Sequence, residues 1–458
     1  MASGNSPDEQ TAAEQLLAFQ TPPETDLVVP PADSWACPPS VPGERVSQVH
    51  GVDKMASQLS RAMPSGLFQR KDQGNSLFLG FTSTAAILAL CIRDSSRETC
   101  NHLEDSESLS LITDSAPMCD EISCTTVNEL PAQQVPSSTL AAQCANAFFE
   151  DYHAAYPIFD RTHVNLVLER YVHSGHRELA PLDRSVVYLV TALGACSRPG
   201  ISGSKSIDSA NLYALAWSLF SHAVAAPSVL SLQVLLLHVL YSIHWSKWSI
   251  AWVLCGIAVR VAQTLGLHLA SPKDFGLDQI HTRLRARLWA VTLSLDAHLS
   301  MSQGRPPARQ PLQYDSELVS DRGGLLQVPE LQWPLSELLS WRVSLARIQQ
   351  KVNKVFSSET TAELRLNCLE EVDRELIYWR DSLPLEFRPE QQTVLEGNGH
   401  IDIYMLHLDY FNLLQTVHWT LVNHRPGPGY SEYAAPRLRA SESGCLGASM
   451  ALVRTLNK

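Results

Sequence analysis

The stretch Val229-Leu230-Ser231-Leu232-Gln233-Val234-Leu235-Leu236-Leu237-His238-Val239-Leu240-Tyr241-Ser242-Ile243 decides the fold class. It is apolar around its circumference, and a helix of that kind must be enclosed by neighbours. A bilayer span needs about 20 mostly apolar residues. This run is shorter and is interrupted by Ser231, Gln233, His238 and Ser242, so it reads as a buried helix of a larger body.

Working outward, helical patterns follow one another from Ser138 onward with short Pro, Gly or Asn breaks, and no alternating β pattern competes with them. The periodicity predicts helices at 139–153, 161–173, 182–196, 208–225, 228–243, 248–266, 279–303, 335–356, 360–381, 401–423 and 439–456. The expectation is an all-α fold: a large multi-helix body over 138–458 preceded by a mostly disordered N-terminal region. Residues 1–76 are rich in Pro, Ser, Gln and acids, without lasting apolar periodicity. Residues 77–93 suggest a short helix, capped by Thr82 or Ser83, that must dock on something larger. Residues 94–137 read as an acidic linker. Its Leu, Ile and Met side chains among carboxylates also suit a co-activator contact.

Charge is unevenly placed. Residues 1–140 hold 18 acidic and 7 basic side chains, and the remainder 29 and 28, within a net charge of -12. Neither part has the Lys and Arg surplus that neutralises phosphates, so direct sequence-specific DNA binding is not expected. Nothing near Met1 resembles a secretory signal. The 10 cysteines are scattered, as suits a reducing compartment. H-E-x-x-H, Walker A, G-x-S-x-G and G-x-G-x-x-G patterns are absent, and no paired Cys or His ligands suggest a metal or other cofactor.

The informative stretch is Trp252-Val253-Leu254-Cys255-Gly256-Ile257-Ala258-Val259-Arg260-Val261-Ala262-Gln263-Thr264-Leu265-Gly266-Leu267-His268, followed by Arg285, Trp289, Asp296, Ser300 and Gly304-Arg305-Pro306. It resembles the fungal-specific transcription factor domain, the middle homology region of the fungal zinc-cluster transcription factors. Tyr156-Pro157-Ile158 and Trp379-Arg380-Asp381-Ser382-Leu383-Pro384 are similar to flanking elements of that family. The spacing from Trp252 to Gly256 is one longer than the family pattern, and Ala290 stands where a second Trp is usual. The family's six-cysteine zinc cluster would need Cys-x2-Cys pairs, and this sequence has none. It therefore reads as a reduced form of the family or as a gene that has lost exons at both ends.

The resemblance implies a nuclear regulator of a fungal metabolic or secondary-metabolite pathway, not an enzyme. It would act with a DNA-bound transcription factor or co-regulator and respond to a small-molecule effector; no membrane role is expected. The alternative is an enzyme built on the same helices, with His238, His244, His268, Asp296 and His407 as its acid-base candidates. One structural expectation is specific. The helix around Arg260 looks apolar on all sides, so Arg260 should be buried and paired with Asp296, which shares a stripe with Arg285, Trp289, Leu293 and Ser300. The functional reading of Arg260 is a grip on an anionic effector.

Overall fold

In the computed structural model of the chain, the described residues are 66–70, 76–80, 136–174, 178–198, 209–269, 278–308, 325–328, 330–357, 362–389, 391, 399–423 and 435–456. Twelve α-helices lie among them: α1 (Ser138–Asp151), α2 (Arg161–Ser174), α3 (Pro181–Ser197), α4 (Ser209–Ser218), α5 (Phe220–Ala225), α6 (Val229–His244), α7 (Trp248–Thr264), α8 (Gln279–Gln303), α9 (Leu338–Ser357), α10 (Ala362–Ser382), α11 (Gly399–Asn423) and α12 (Ala435–Leu456). Two 3-10 turns, Leu335–Glu337 and Leu385–Phe387, complete the helical body. No described helix is long and apolar enough to cross a membrane.

The ends of these helices follow from local chemistry. Ser137 accepts the Leu140 amide at the start of α1, and Pro181 opens α3, where its missing N–H costs nothing. Ser228 and Ser231 exchange hydrogen bonds as a capping box at the start of α6. Asp278 accepts the His281 amide at the head of α8. The expected single helix over 208–225 is two, α4 and α5, parted at Leu219.

The N-terminal expectation needs one correction. Strands β1 (Gly66–Arg70) and β2 (Ser76–Gly80) pair antiparallel, with Phe68 opposite Phe78 and Leu67 opposite Leu79. Residues 77–80, which lead into the expected cap at Thr82 or Ser83, are strand, because the Leu-Phe-Leu cluster finds a β-favouring partner ten residues upstream. Residues 66–70 are likewise strand where disorder was expected. Residues 81–93, the acidic linker up to 135 and the rest of 1–76 lie outside the described residues.

Two hydrophobic cores organise the helices. The first gathers α1 to α8 and is centred on α6, whose residues 231–242 are all buried. The polar residues inside that run have separate explanations. Ser231 belongs to the cap, Gln233 donates to the Ile158 carbonyl at 2.7 Å, and Ser242 donates to the His238 carbonyl at 2.8 Å. His238 is fully buried among Tyr213, Trp217 and Phe220, with both ring nitrogens unpartnered. The second core gathers α9, α10 and α11, with Met301 from the end of α8 and Ala154 and Ala155 from the turn after α1. Tyr156 packs against both. Helix α8 is buried almost continuously from Arg287 to Gln303 and carries the packing from one core to the other.

Candidate functional site

The family-like residues on α7 and α8 form a structural staple. Helix α7 ends at Leu265, and Gly266 follows in the left-handed region at φ +66. Its amide bonds to Gln263 O at 2.9 Å and the Leu267 amide to Ala262 O at 3.0 Å, the paired bonds of a Schellman cap. Gly304 repeats the device after α8, at φ +60, with Gly304 N to Met301 O and Arg305 N to Ser300 O. Arg285 donates Nη2 to the Leu265 carbonyl at 2.8 Å, and His268 lies 5.9 Å from the Trp289 ring. At the other end Trp252 donates its indole N–H to Ser300 Oγ at 3.3 Å. Arg305 lies over the Trp252 ring at 5.1 Å and donates to Ser249 Oγ, while its carbonyl accepts from Asn353 of α9 at 2.8 Å. Pro306 follows as an exposed residue that closes the turn. Gly256 is not demanded by space, since an added Cβ would meet only Arg260 and Ala308 at ordinary contact distance.

The expected ion pair is corrected. Arg260 is exposed and donates to the Gly256 carbonyl at 2.9 Å. Asp296 is buried and accepts the Ala308 amide at 3.0 Å. The reason lies in the face that α7 turns outward: Val253, Gly256, Ile257, Arg260 and Thr264 fall at helical spacing and are exposed or half-buried. Apolar Val253 and Ile257 disguised that face as core.

A buried ionic cluster does exist, on helices the sequence left unmarked. Arg342 of α9, only 8% exposed, donates Nη1 to Asp409 Oδ2 of α11 and to Tyr156 Oη, both at 3.3 Å. Its guanidinium stands 5.0 Å from the centre of the Tyr156 ring. His298 of α8 donates Nδ1–H to Asp409 Oδ1 at 3.2 Å and packs beside Trp248. Burial pushes the Asp409 carboxyl up, but His298 and Arg342 outweigh it and hold the group below the usual carboxylate range. Burial raises the Tyr156 phenol. Asp402, one turn into α11, is pushed up to about 7 by burial, against the pull of Arg342. Tyr156, His298, Arg342 and Asp409 line a cleft of about 10 Å³ where the two cores meet, together with Ser294, Gln349 and Leu406. That is room for roughly one water molecule, so a metabolite enters only if the helices part.

The acid-base candidates do not converge. His238 sits in its aromatic cage, His244 meets the Tyr152 hydroxyl at 3.0 Å, His407 donates to the Phe387 carbonyl at 2.8 Å, His268 faces Trp289, and Asp296 serves Ala308. Among the described residues no group of three His, Cys, Asp or Glu side chains gathers as a metal site. Arg342 and Asp409 left one signal in the sequence, a charge set among Leu339, Val343, Leu345 or among Leu406, Tyr410, Leu413. Which charges these would face could not be read there.

Comparison with known proteins supplies the family. Residues 145–381 match the model of the fungal specific transcription factor domain. An ABC-transporter-regulating transcription factor of Aspergillus oryzae is 27% identical over 67% of this chain and 36% of its own length. A protein of the same description from Aspergillus fumigatus is 32% identical over 42% of the chain and 22% of its own length. The Fusaridione A cluster transcription factor of Fusarium heterosporum is 23% identical over 70% of the chain and 62% of its own length. The chain thus spans less than two thirds of each of these relatives. Their descriptions point away from an enzyme. The match takes in the α7–α8 staple, the first core, part of the second and the Tyr156 and Arg342 side of the junction, and the chain belongs to the family that carries the fungal specific transcription factor domain.

Proposed function

We propose that this chain regulates transcription of a fungal metabolic or secondary-metabolite pathway, acting in the nucleus through its helical domain. The observation that carries the reading is the family match over 145–381, which covers most of the first core and reaches into the second. The relatives' descriptions, one of transporter regulation and one of a biosynthetic cluster, support pathway control. The 458 residues contain no Cys-x2-Cys pair and no basic surplus, which favours contact with DNA through a DNA-bound transcription factor or co-regulator. The Arg342–Asp409 junction suits a responsive element, because a buried ionic cluster between two cores has few intermediate states between closed and parted. A small-molecule effector would act by changing that balance.

The test is a fusion of the full chain to a foreign DNA-binding domain, read on reporters with a minimal and with an active promoter, together with a fluorescent fusion for location. A change in either reporter and nuclear accumulation are expected. No change in either reporter, with the fusion expressed and folded, refutes the reading.

A further inference from the structure

Away from the Arg342 junction, a second set of buried polar groups lies beneath the chain leading into α9. Arg287 of α8 is 3% exposed. Its Nη2 donates to Asp160 Oδ1 at 2.5 Å, whereas Nε and Nη1 are buried with no partner. A guanidinium presents five N–H donors in one plane and suits a carboxylate at two of them at once. Here two of its three nitrogens lack an acceptor, and buried donors left unmade call for an explanation. His153, equally buried, donates Nε2–H to Glu330 Oε2 at 3.4 Å, and its Nδ1 is unpartnered. The Glu330 side chain is 45% exposed. The His153 hydrogen bond, assisted by the charge of Arg287, holds its carboxyl below the usual range. Glu330 therefore stands in the field of the Arg287 guanidinium and beside His153, with one side open to water. Leu326 and Val328, both buried, anchor the chain just before it.

We propose that Arg287 and His153 form a binding site for a small monocarboxylate, and that Glu330 is an internal carboxylate holding its entrance until the ligand displaces it. The charge balance selects the ligand class. With Glu330 turned out into water, one incoming monoanion takes the place of its single charge beside the Arg287 guanidinium and the Asp160 carboxylate, and the local charge balance is unchanged. A dianion such as phosphate leaves an excess negative charge in a site of low polarity and binds more weakly. Phe149, whose ring lies 5.1 Å from His153, supplies an apolar wall for the body of the acid. The assignment stands apart from the transcriptional reading, since it concerns binding by the isolated chain.

The experiment uses the full chain, with acetate as probe and chloride at equal ionic strength as control, read by calorimetric titration and thermal unfolding. Acetate raises the unfolding midpoint where chloride does not, and phosphate raises it less than acetate. Glu330→Gln removes the competing charge from an accessible position and tightens acetate binding by about fivefold. Arg287→Gln abolishes binding. Because that buried change can also unfold the domain, the Glu330 variant decides. Acetate affinity that is unchanged or weaker in Glu330→Gln, the absence of acetate-specific stabilisation in both forms, or stronger binding of phosphate overturns the proposal.

Discussion

Replacing Asp409 with Asn tests the energetics of the junction most directly. The substitution keeps the size and hydrogen-bonding atoms of the side chain but removes the charge that faces Arg342 Nη1 at 3.3 Å and His298 Nδ1 at 3.2 Å. Arg342 is too deeply buried to recover the loss from water. An uncompensated buried charge costs about 3–5 kcal/mol. Asp402 lies within reach of the Arg342 field and returns part of that, so the lower end, about 3 kcal/mol, is expected. For a domain of this size that lowers the thermal midpoint by roughly 6 °C. The double variant Arg342→Met/Asp409→Asn removes both charges, and its loss falls short of the sum of the single losses by about 2 kcal/mol. The deficit also depends on pH with a definite sign. In the parent protein the Asp402 carboxyl, raised to about 7, favours the folded state below its unfolded value and loses that contribution as pH rises toward 7. With Asp409 neutralised, Arg342 draws Asp402 into its charged form at lower pH, so this loss is smaller. Chemical denaturation should therefore show Asp409→Asn less harmful at pH 8 than at pH 5.5. Additive losses in the cycle, or a deficit that grows with pH, refute the reasoning.

Two further predictions follow from the cores and the staple. His238, held neutral by burial with its value lowered to about 3, is charged more readily in the unfolded chain, so stability is lost as pH falls from about 6.5 toward 3. His238→Leu should flatten that part of the profile, measured by denaturation between pH 4 and 7, and an unchanged acid limb relative to the parent counts against the unpartnered assignment. Gly266→Ala and Gly304→Ala, at the two left-handed caps, should each cost about 1 kcal/mol. A midpoint equal to the parent's in either variant contradicts the cap geometry.

The helical class and nearly every helix after Ser138 were legible in the sequence, because an amphipathic or fully apolar period and its capping residues are local properties. Val229–Ile243 announced its burial by composition, and Gly266 and Gly304 marked the ends of α7 and α8 by residue type alone. The pairing of charges was not legible. Arg260 and Arg342 each sit among apolar neighbours in sequence, yet one reaches water and the other faces Asp409 across two helices. Helix periodicity states which residues share a face. Only packing decides which face turns outward, and Val253 and Ile257 gave an outward face the appearance of core. The same limit hid Arg287 and Glu330, more than 40 residues apart in the chain, and the β1–β2 pairing in the N-terminal region. Contacts between distant segments depend on how helices cross, and the crossing is set by the shapes of all their side chains together.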